Sequence, residues 1–267
     1  MTQQKDEQQT ETSKTMNSPI SWPGGKRLLA KKIVGMFPEH TCYASVFAGA
    51  LWDLFKKQPS LCEVVNDING DLINFYRVIQ KKPYQFLLEM QWDLISRKAY
   101  FEYKAALEKD NLTDVEKAKR FFYVLKTSFG SQGRAYGYVR TDHPKLNLID
   151  IEKIILSTHE RLKRVNIECL DWWEFIPKYD TPKTMFYLDP PYRCETSKKV
   201  YIQSLTDQDF IDFRNCLKGV KGMFLLSLND DGFIRELFKD FKIEEVETLY
   251  TLSGSPKKVK EILIKNY

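Results

Sequence analysis

Residues 185–192 read Met185-Phe186-Tyr187-Leu188-Asp189-Pro190-Pro191-Tyr192. The first four are apolar or aromatic and uninterrupted, as in a strand covered on both faces. The run then meets a carboxylate and two prolines, which supply no ladder N–H and cannot continue a central strand, so the strand is expected to stop at Asp189. Three more runs of this kind lie at Tyr43 to Phe47, Cys62 to Val65 and Met223 to Leu228, with a weaker one at Val165 to Leu170. Apolar residues at helical spacing separate them: Leu28, Ile33 and Met36 in one place, Phe210, Phe213 and Leu217 in another. Strands alternating with helices imply an α/β fold built on a doubly wound sheet. The last two runs, Glu244 to Leu252 and Glu261 to Tyr267, flank Ser253-Gly254-Ser255-Pro256 and read as a C-terminal β-hairpin.

Between Asp71 and about Ile149 the alternation gives way to helix after helix. Thr113-Asp114-Val115-Glu116 fits a capping box, in which the threonine oxygen and the glutamate each satisfy an orphan N–H. After that helix comes Ser128-Phe129-Gly130-Ser131-Gln132-Gly133-Arg134-Ala135-Tyr136-Gly137-Tyr138-Val139-Arg140, where glycines interleaved with arginines and tyrosines suggest an exposed loop or hairpin. The expected organisation is a polar tail over 1–17, a sheet domain in two pieces over 18–70 and 150–267, and an inserted, mostly helical domain over 71–149.

A chain of 267 residues has room for one core plus a small appended domain. No apolar run is long enough to span a bilayer, and the opening residues, rich in Gln, Thr, Glu and Lys, lack the apolar stretch of a signal peptide, so a cytoplasmic location is expected. Cys42, Cys62, Cys169, Cys194 and Cys216 are scattered and read as reduced thiols, while His40, His143 and His159 form no ligand pattern, so no metal is expected. The net charge of +5 is compatible with a polyanionic partner.

The order strand, carboxylate, diproline, aromatic suits chemistry on an amino group attached to a flat base. Such an amine is a poor nucleophile because its lone pair is delocalised into the ring. A site that alkylates it must accept its N–H protons so that the lone pair can turn outward. Asp189 supplies one acceptor and the Pro190 carbonyl another, held at a fixed angle by the rings of Pro190 and Pro191, while Tyr192 offers a face for an extruded base. A strand end followed by a simple turn is the competing reading. Phe47-Ala48-Gly49 follows the first strand, where a nucleotide-binding sheet places its ligand: Phe47 would line the pocket and Gly49 would allow close backbone approach. Asp67, after the second strand, stands where a carboxylate accepts ribose hydroxyls; the alternative is a helix cap near Leu72, a task open also to Asn69 or Asp71. Arg134, Tyr136, Tyr138 and Arg140 suit phosphate anchoring or base-edge reading, or simply a solvated turn. Asp171 precedes Trp172-Trp173 and is either a ligand neighbour or a helix cap.

Taken in order, Ile20-Ser21-Trp22-Pro23-Gly24-Gly25-Lys26, Ser45-Val46-Phe47-Ala48-Gly49-Ala50-Leu51-Trp52, Val64-Val65-Asn66-Asp67-Ile68-Asn69 and Asp189-Pro190-Pro191-Tyr192 resemble the Dam-type family of DNA adenine N6-methyltransferases. The resemblance runs from about Ser18 to Tyr267. It implies a Rossmann-like catalytic sheet, an inserted target-recognition domain, S-adenosylmethionine as methyl donor without a metal, and double-stranded DNA as the partner. It makes a restriction-modification role an expectation. Asp189, Pro190, Pro191 and Tyr192 would be catalytic, with direct methyl transfer to a flipped adenine. Trp22, Lys26, Phe47, Gly49, Asp67, Asp171 and Asp189 would surround the cofactor, Lys26 neutralising its methionine carboxylate. Arg134, Tyr136, Tyr138 and Arg140, in the loop 128–140, would contact DNA. Lys257 and Lys258 would lie at the rim of the target pocket, placed for phosphate. The chain departs from the family pattern at Leu51, where glycine is usual, and at Ser131-Gln132-Gly133, where relatives carry an aromatic-Asn-Gly sequence; recognition of GATC therefore does not carry over. Methylation of a cytosine amine or a protein amide, and DNA binding without catalysis, are the alternative readings.

Overall fold

The protein is described by a computed structural model covering residues 16–109, 111–137, 146–193, 205–250 and 257–267. In chain order the elements are α1 (Ala30–Gly35), β1 (Cys42–Ser45), α2 (Trp52–Lys56), β2 (Cys62–Asn66), α3 (Gly70–Lys81), α4 (Pro83–Met90), α5 (Arg97–Ala106) and α6 (Asp114–Thr127). There follow a 3-10 turn over Phe129–Ser131, α7 (Leu148–Leu162), β3 (Asn166–Glu168), α8 (Trp172–Tyr179), β4 (Thr184–Leu188), α9 (Asp207–Gly219), β5 (Met223–Asn229), α10 (Gly232–Leu237), β6 (Lys242–Tyr250) and β7 (Lys257–Lys265).

The strands form one seven-stranded sheet in the order β3-β2-β1-β4-β5-β7-β6. Neighbours among β1 to β5 are parallel, and β7 runs antiparallel to both β5 and β6. The chain builds outward from β1 to β3 on one side, then returns to place β4 against β1. This reversal opens a crevice at the carboxyl ends of β1 and β4, the position where open α/β sheets hold ligands. The expected mixed α/β architecture and the antiparallel final strands are present; the expected turn Ser253-Gly254-Ser255-Pro256 lies outside the described residues.

Alternation along the strands divides the core in two. Tyr43, Val65, Tyr187, Leu225 and Leu263 face one cluster, and Ala44, Val64, Phe186, Leu226 and Ile264 face the other. The first cluster continues into the helices between β2 and β3, where Phe75 of α3 stacks on Phe122 of α6 with ring centroids 5.5 Å apart and Phe86 of α4 packs edge-on against both. Burying a ring of that size contributes roughly 2–3 kcal/mol, so α3 to α6 share a core with one face of the sheet.

Several element boundaries differ from the sequence reading. The strand expected over Tyr43 to Phe47 ends at Ser45, and the weak run Val165 to Leu170 contributes only Asn166–Glu168 at the sheet edge. Leu28 does not join a helical face with Ile33: it precedes α1 and is exposed, whereas Ile33 is buried. The capping box at Thr113 and Glu116 is formed, with Thr113 Oγ1 accepting from the Glu116 N–H and Glu116 Oε2 accepting from the Thr113 N–H.

Candidate active site

The parallel register aligns Ser45 with Val65 on one side and with Tyr187 on the other. Two residues beyond that row stand Phe47, Asp67 and Asp189, so three motifs far apart in sequence emerge side by side at the crevice. The strand ends are tied together by Asn66, whose side chain donates to the carbonyls of Val46 and Leu170 and accepts from the Leu170 N–H. They surround a cavity of about 810 Å³, lined among others by Trp22, Lys26, Phe47, Gly49, Asp67, Asp171, Trp173, Asp189, Pro190 and Pro191. Among the described residues, six carboxylates, Asp53, Asp67, Asp171, Asp189, Asp209 and Asp212, line it against one ammonium, that of Lys26. Such a cavity favours a ligand carrying positive charge.

The loop after β1 is fixed by contacts that leave no room for a side chain at its glycine. Gly49 has φ +46°, and a Cβ there would come 3.0 Å from the Trp22 ring. Asp67 braces this loop, its Oδ2 accepting from the Gly49 N–H at 3.1 Å and its Oδ1 from the Asn69 N–H at 2.9 Å. Burial pushes the Asp67 carboxyl above its ordinary range, against the pull of these backbone donors. The Tyr76 hydroxyl donates to the Gly49 carbonyl from beneath. The helix cap is Asn69, whose side chain accepts from the N–H groups of Asp71 and Leu72. Leu51, where the resembled family has glycine, adopts φ +52° with its side chain buried. That backbone position is one glycine takes at no steric cost.

Asp189 meets Lys26. The buried Lys26 ammonium donates to Asp189 Oδ1 at 2.7 Å, to the Tyr192 hydroxyl at 2.6 Å and to the Gly24 carbonyl at 3.1 Å. Glu261 Oε2, from β7, stands 3.8 Å from the same nitrogen. Burial raises the Asp189 carboxyl to about 6; Lys26 opposes that rise, while Glu261 and Asp53 add to it. Lys26 is thus engaged with the carboxylate of the diproline motif, a contact the sequence did not announce. Tyr192 is half-buried against the second core cluster and is not a wall of the cavity.

Other expected site residues are distributed as follows. Trp22 packs on Gly49 and faces Phe121, with centroids 6.2 Å apart. Phe47 packs edge-on against Phe213. Asp171 occupies the N-cap position of α8 but makes no side-chain cap bond there, and it lines the cavity. Between Ser128 and Gly137 the chain doubles back, with a bridge between Ser128 and Tyr136 and the Phe129 N–H donating to the Ala135 carbonyl. Ser131 and Gln132 reach the cavity wall from this turn. Arg134 is exposed, whereas the Tyr136 ring packs edge-on against Tyr100 with centroids 5.5 Å apart. Tyr138 and Arg140 lie outside the described residues, as do the side chains of Lys257 and Lys258.

The sequence reading passed over Asp53, Trp173 and Glu261. Glu261 carried a signal: it is the one carboxylate in β7 and is followed directly by the buried Ile262, Leu263 and Ile264. Asp53 carried none, because one acidic residue in a short helix looks like a solvated one.

The model for D12 class N6 adenine-specific DNA methyltransferases matches residues 22–252. The chain is 31% identical to the type II methyltransferase M1.LlaDCHI of Lactococcus lactis subsp. cremoris, over 92% of this chain and 94% of that protein. It is 24% identical to the type II methyltransferase M.CviBI of Paramecium bursaria Chlorella virus NC1A, over 94% of this chain and all of the relative. It is also 24% identical to a DNA adenine methylase of Haemophilus influenzae, over 91% of each.

Proposed function

The chain belongs to the D12 class of N6 adenine-specific DNA methyltransferases, and from that premise we propose how the cavity serves the reaction. One observation carries the reading: Asp189 and the diproline after it form a wall of the same acidic cavity that Asp67 and Gly49 line. The methyl donor is S-adenosylmethionine. The residues present suit it: a backbone that permits close approach at Gly49, a carboxylate at Asp67 for ribose hydroxyls, aromatic walls at Phe47 and Trp173, and an excess of carboxylates toward a sulfonium cation. When bound, it supplies an electrophilic methyl group.

The chain's own residues do the rest. Asp189, ionised above its raised pKa, accepts an N–H of the adenine amine, and the Pro190 carbonyl accepts the other, so the nitrogen lone pair is directed out of conjugation. The base is extruded from the duplex to reach this acceptor pair. Lys26 fixes Asp189 and Tyr192 together. The sheet, residues 18–70 and 150–267, is the Rossmann-like catalytic unit, and 71–149 is the target-recognition unit, with the turn after α6 facing duplex DNA. Likeness to two type II methyltransferases supports site-specific modification as the role, in the manner of a restriction-modification enzyme.

The test is expression in a methylation-free host followed by sequencing of modified bases, beside single-turnover methylation by wild type and Asp189→Ala. N6-methyladenine at one recurrent sequence is expected, with the variant slowed about a hundredfold or more, the cost of removing one positioned acceptor. Methylcytosine, or no methylated base, would refute the reading.

A further inference from the structure

We infer that Glu261 is a positioning residue for methyl transfer: its buried carboxylate is a second seat for the Lys26 ammonium, which it takes up as Asp189 turns to the adenine amine. The inference rests on Asp189 being the acceptor for that amine. Three donors of the Lys26 ammonium are already engaged, with Gly24, Asp189 and Tyr192, so Asp189 shares its negative charge with a cation before any base arrives. A carboxylate held so is a weaker acceptor toward a neutral amine. Lys26 cannot simply leave, since it is 6% exposed and a buried ammonium without a counter-charge costs several kcal/mol. Glu261 resolves the conflict. It is 1% exposed on β7, opposite Asn229, with the Ser227 hydroxyl 3.4 Å from its Oε2. The same Oε2 is 3.8 Å from Lys26 Nζ, so a movement of about 1 Å converts an ion pair into a hydrogen bond. The ammonium then remains neutralised inside the protein while Asp189 regains its full acceptor strength. No covalent step is involved.

The groups facing Asp189 are Lys26 before α1, Asp53 of α2, Tyr187 of β4 and Glu261 of β7, with Tyr192 sharing the Lys26 ammonium. Of these, Lys26 holds the carboxyl down, and Asp53 and Glu261 push it up. Single-turnover methylation of a duplex by the full-length protein, followed across pH, tests the inference in wild type, Glu261→Gln, Glu261→Asp and Asp189→Ala. Glu261→Gln keeps the shape and loses the charge. Its plateau rate should fall roughly tenfold, the effect of losing one charge-assisted contact. Its acid limb should move to lower pH, because Asp189 then ionises more readily. Glu261→Asp withdraws the carboxylate by one methylene and should show both changes in smaller degree; if the glutamine variant does not fold, this variant carries the test with the same two readouts. A plateau equal to wild type overturns the inference, and so does a lowered plateau with an unmoved acid limb, which marks a packing role. If Asp189→Ala retains more than about a tenth of the wild-type rate, the acceptor reading itself fails. If that variant is inactive and the Glu261 variants behave as wild type, only the second seat fails.

Discussion

At Asp189 two physical effects oppose each other. Removal from water penalises the carboxylate and Lys26 restores part of it, leaving the group near 6. As an acceptor it must be ionised, so the methylation rate should be constant above that pH and fall as pH drops through it. Lys26→Ala deletes the influence that lowers the Asp189 pKa, so the acid limb should move to higher pH. Single-turnover rates across a pH series would show it, and an unmoved limb would mean that the 2.7 Å contact does not govern Asp189 in solution. Asp67 makes a separable prediction. Asp67→Ala removes the carboxylate that accepts from Gly49 and Asn69, so the loop after β1 loses its brace and, on the proposed reading, the ligand loses a hydroxyl acceptor. The dissociation constant for S-adenosylmethionine should rise about tenfold or more, with duplex affinity little changed. Calorimetric titration of each ligand separately decides the matter, and a defect confined to duplex would refute the assignment.

Single elements depend on their ends as much as on their faces. α6 carries Phe121, Phe122, Val124 and Leu125 into the core and begins at the reciprocal cap of Thr113 and Glu116. Thr113→Ala should cost about 1 kcal/mol and lower the melting temperature by roughly 2–4 °C for a chain of this size. Because the cap is exposed and far from the cavity lining, the methylation rate at moderate temperature should not change. Thermal unfolding and a rate measurement on the same preparation test both halves. This cap was legible in the sequence because it is set by residues three apart. The boundaries of β1 and β3 were not, because a strand ends where its neighbour stops offering partners. Val46 and Phe47 are as apolar as Tyr43, yet the Val46 carbonyl is taken by the Asn66 side chain instead of a ladder partner. Leu51 is similar: nothing in an isolated leucine predicts φ +52°, which the turn from Gly49 into α2 imposes.

Across the whole molecule, the helices between β2 and β3 join the sheet through a shared apolar core, and β2, α2 and α7 are locked by Glu63. Its carboxylate pairs with Lys57 at 2.5 Å and accepts two bonds from Arg161. In the turn after α6, Ser131 and Gln132 line the cavity wall. The turn contains two kinds of residue. Arg134 is exposed, whereas Tyr136 is packed on Tyr100. Arg134→Ala should therefore change which sequences are methylated if it reads a base, worth about 1–3 kcal/mol of discrimination. Tyr136→Ala should lower the rate on all sequences alike by loosening the turn. Methylation of a randomised duplex library by the two variants separates them; identical rankings in both would move sequence choice out of this turn.

What the sequence determined by itself was local or periodic. The buried strands, the carboxylate and diproline that stop one of them, the Thr113 cap and the order of the motifs follow from residues within a few positions of each other, where sterics and hydrogen bonding act directly. What only the tertiary structure decided was who meets whom. Phe47, Asp67 and Asp189 come into one row because parallel register places Ser45 beside both Val65 and Tyr187. The same register sets the Cys42 and Cys62 sulfurs 3.2 Å apart, two thiols that looked unrelated, and burial beside its neighbour pushes Cys42 up to about 12. Lys26 settles on Asp189, and Glu261 arrives behind it from the final antiparallel strand. Spacing cannot show such pairings, because the free energy of a buried ion pair depends on distance and desolvation in the folded interior and not on separation along the chain.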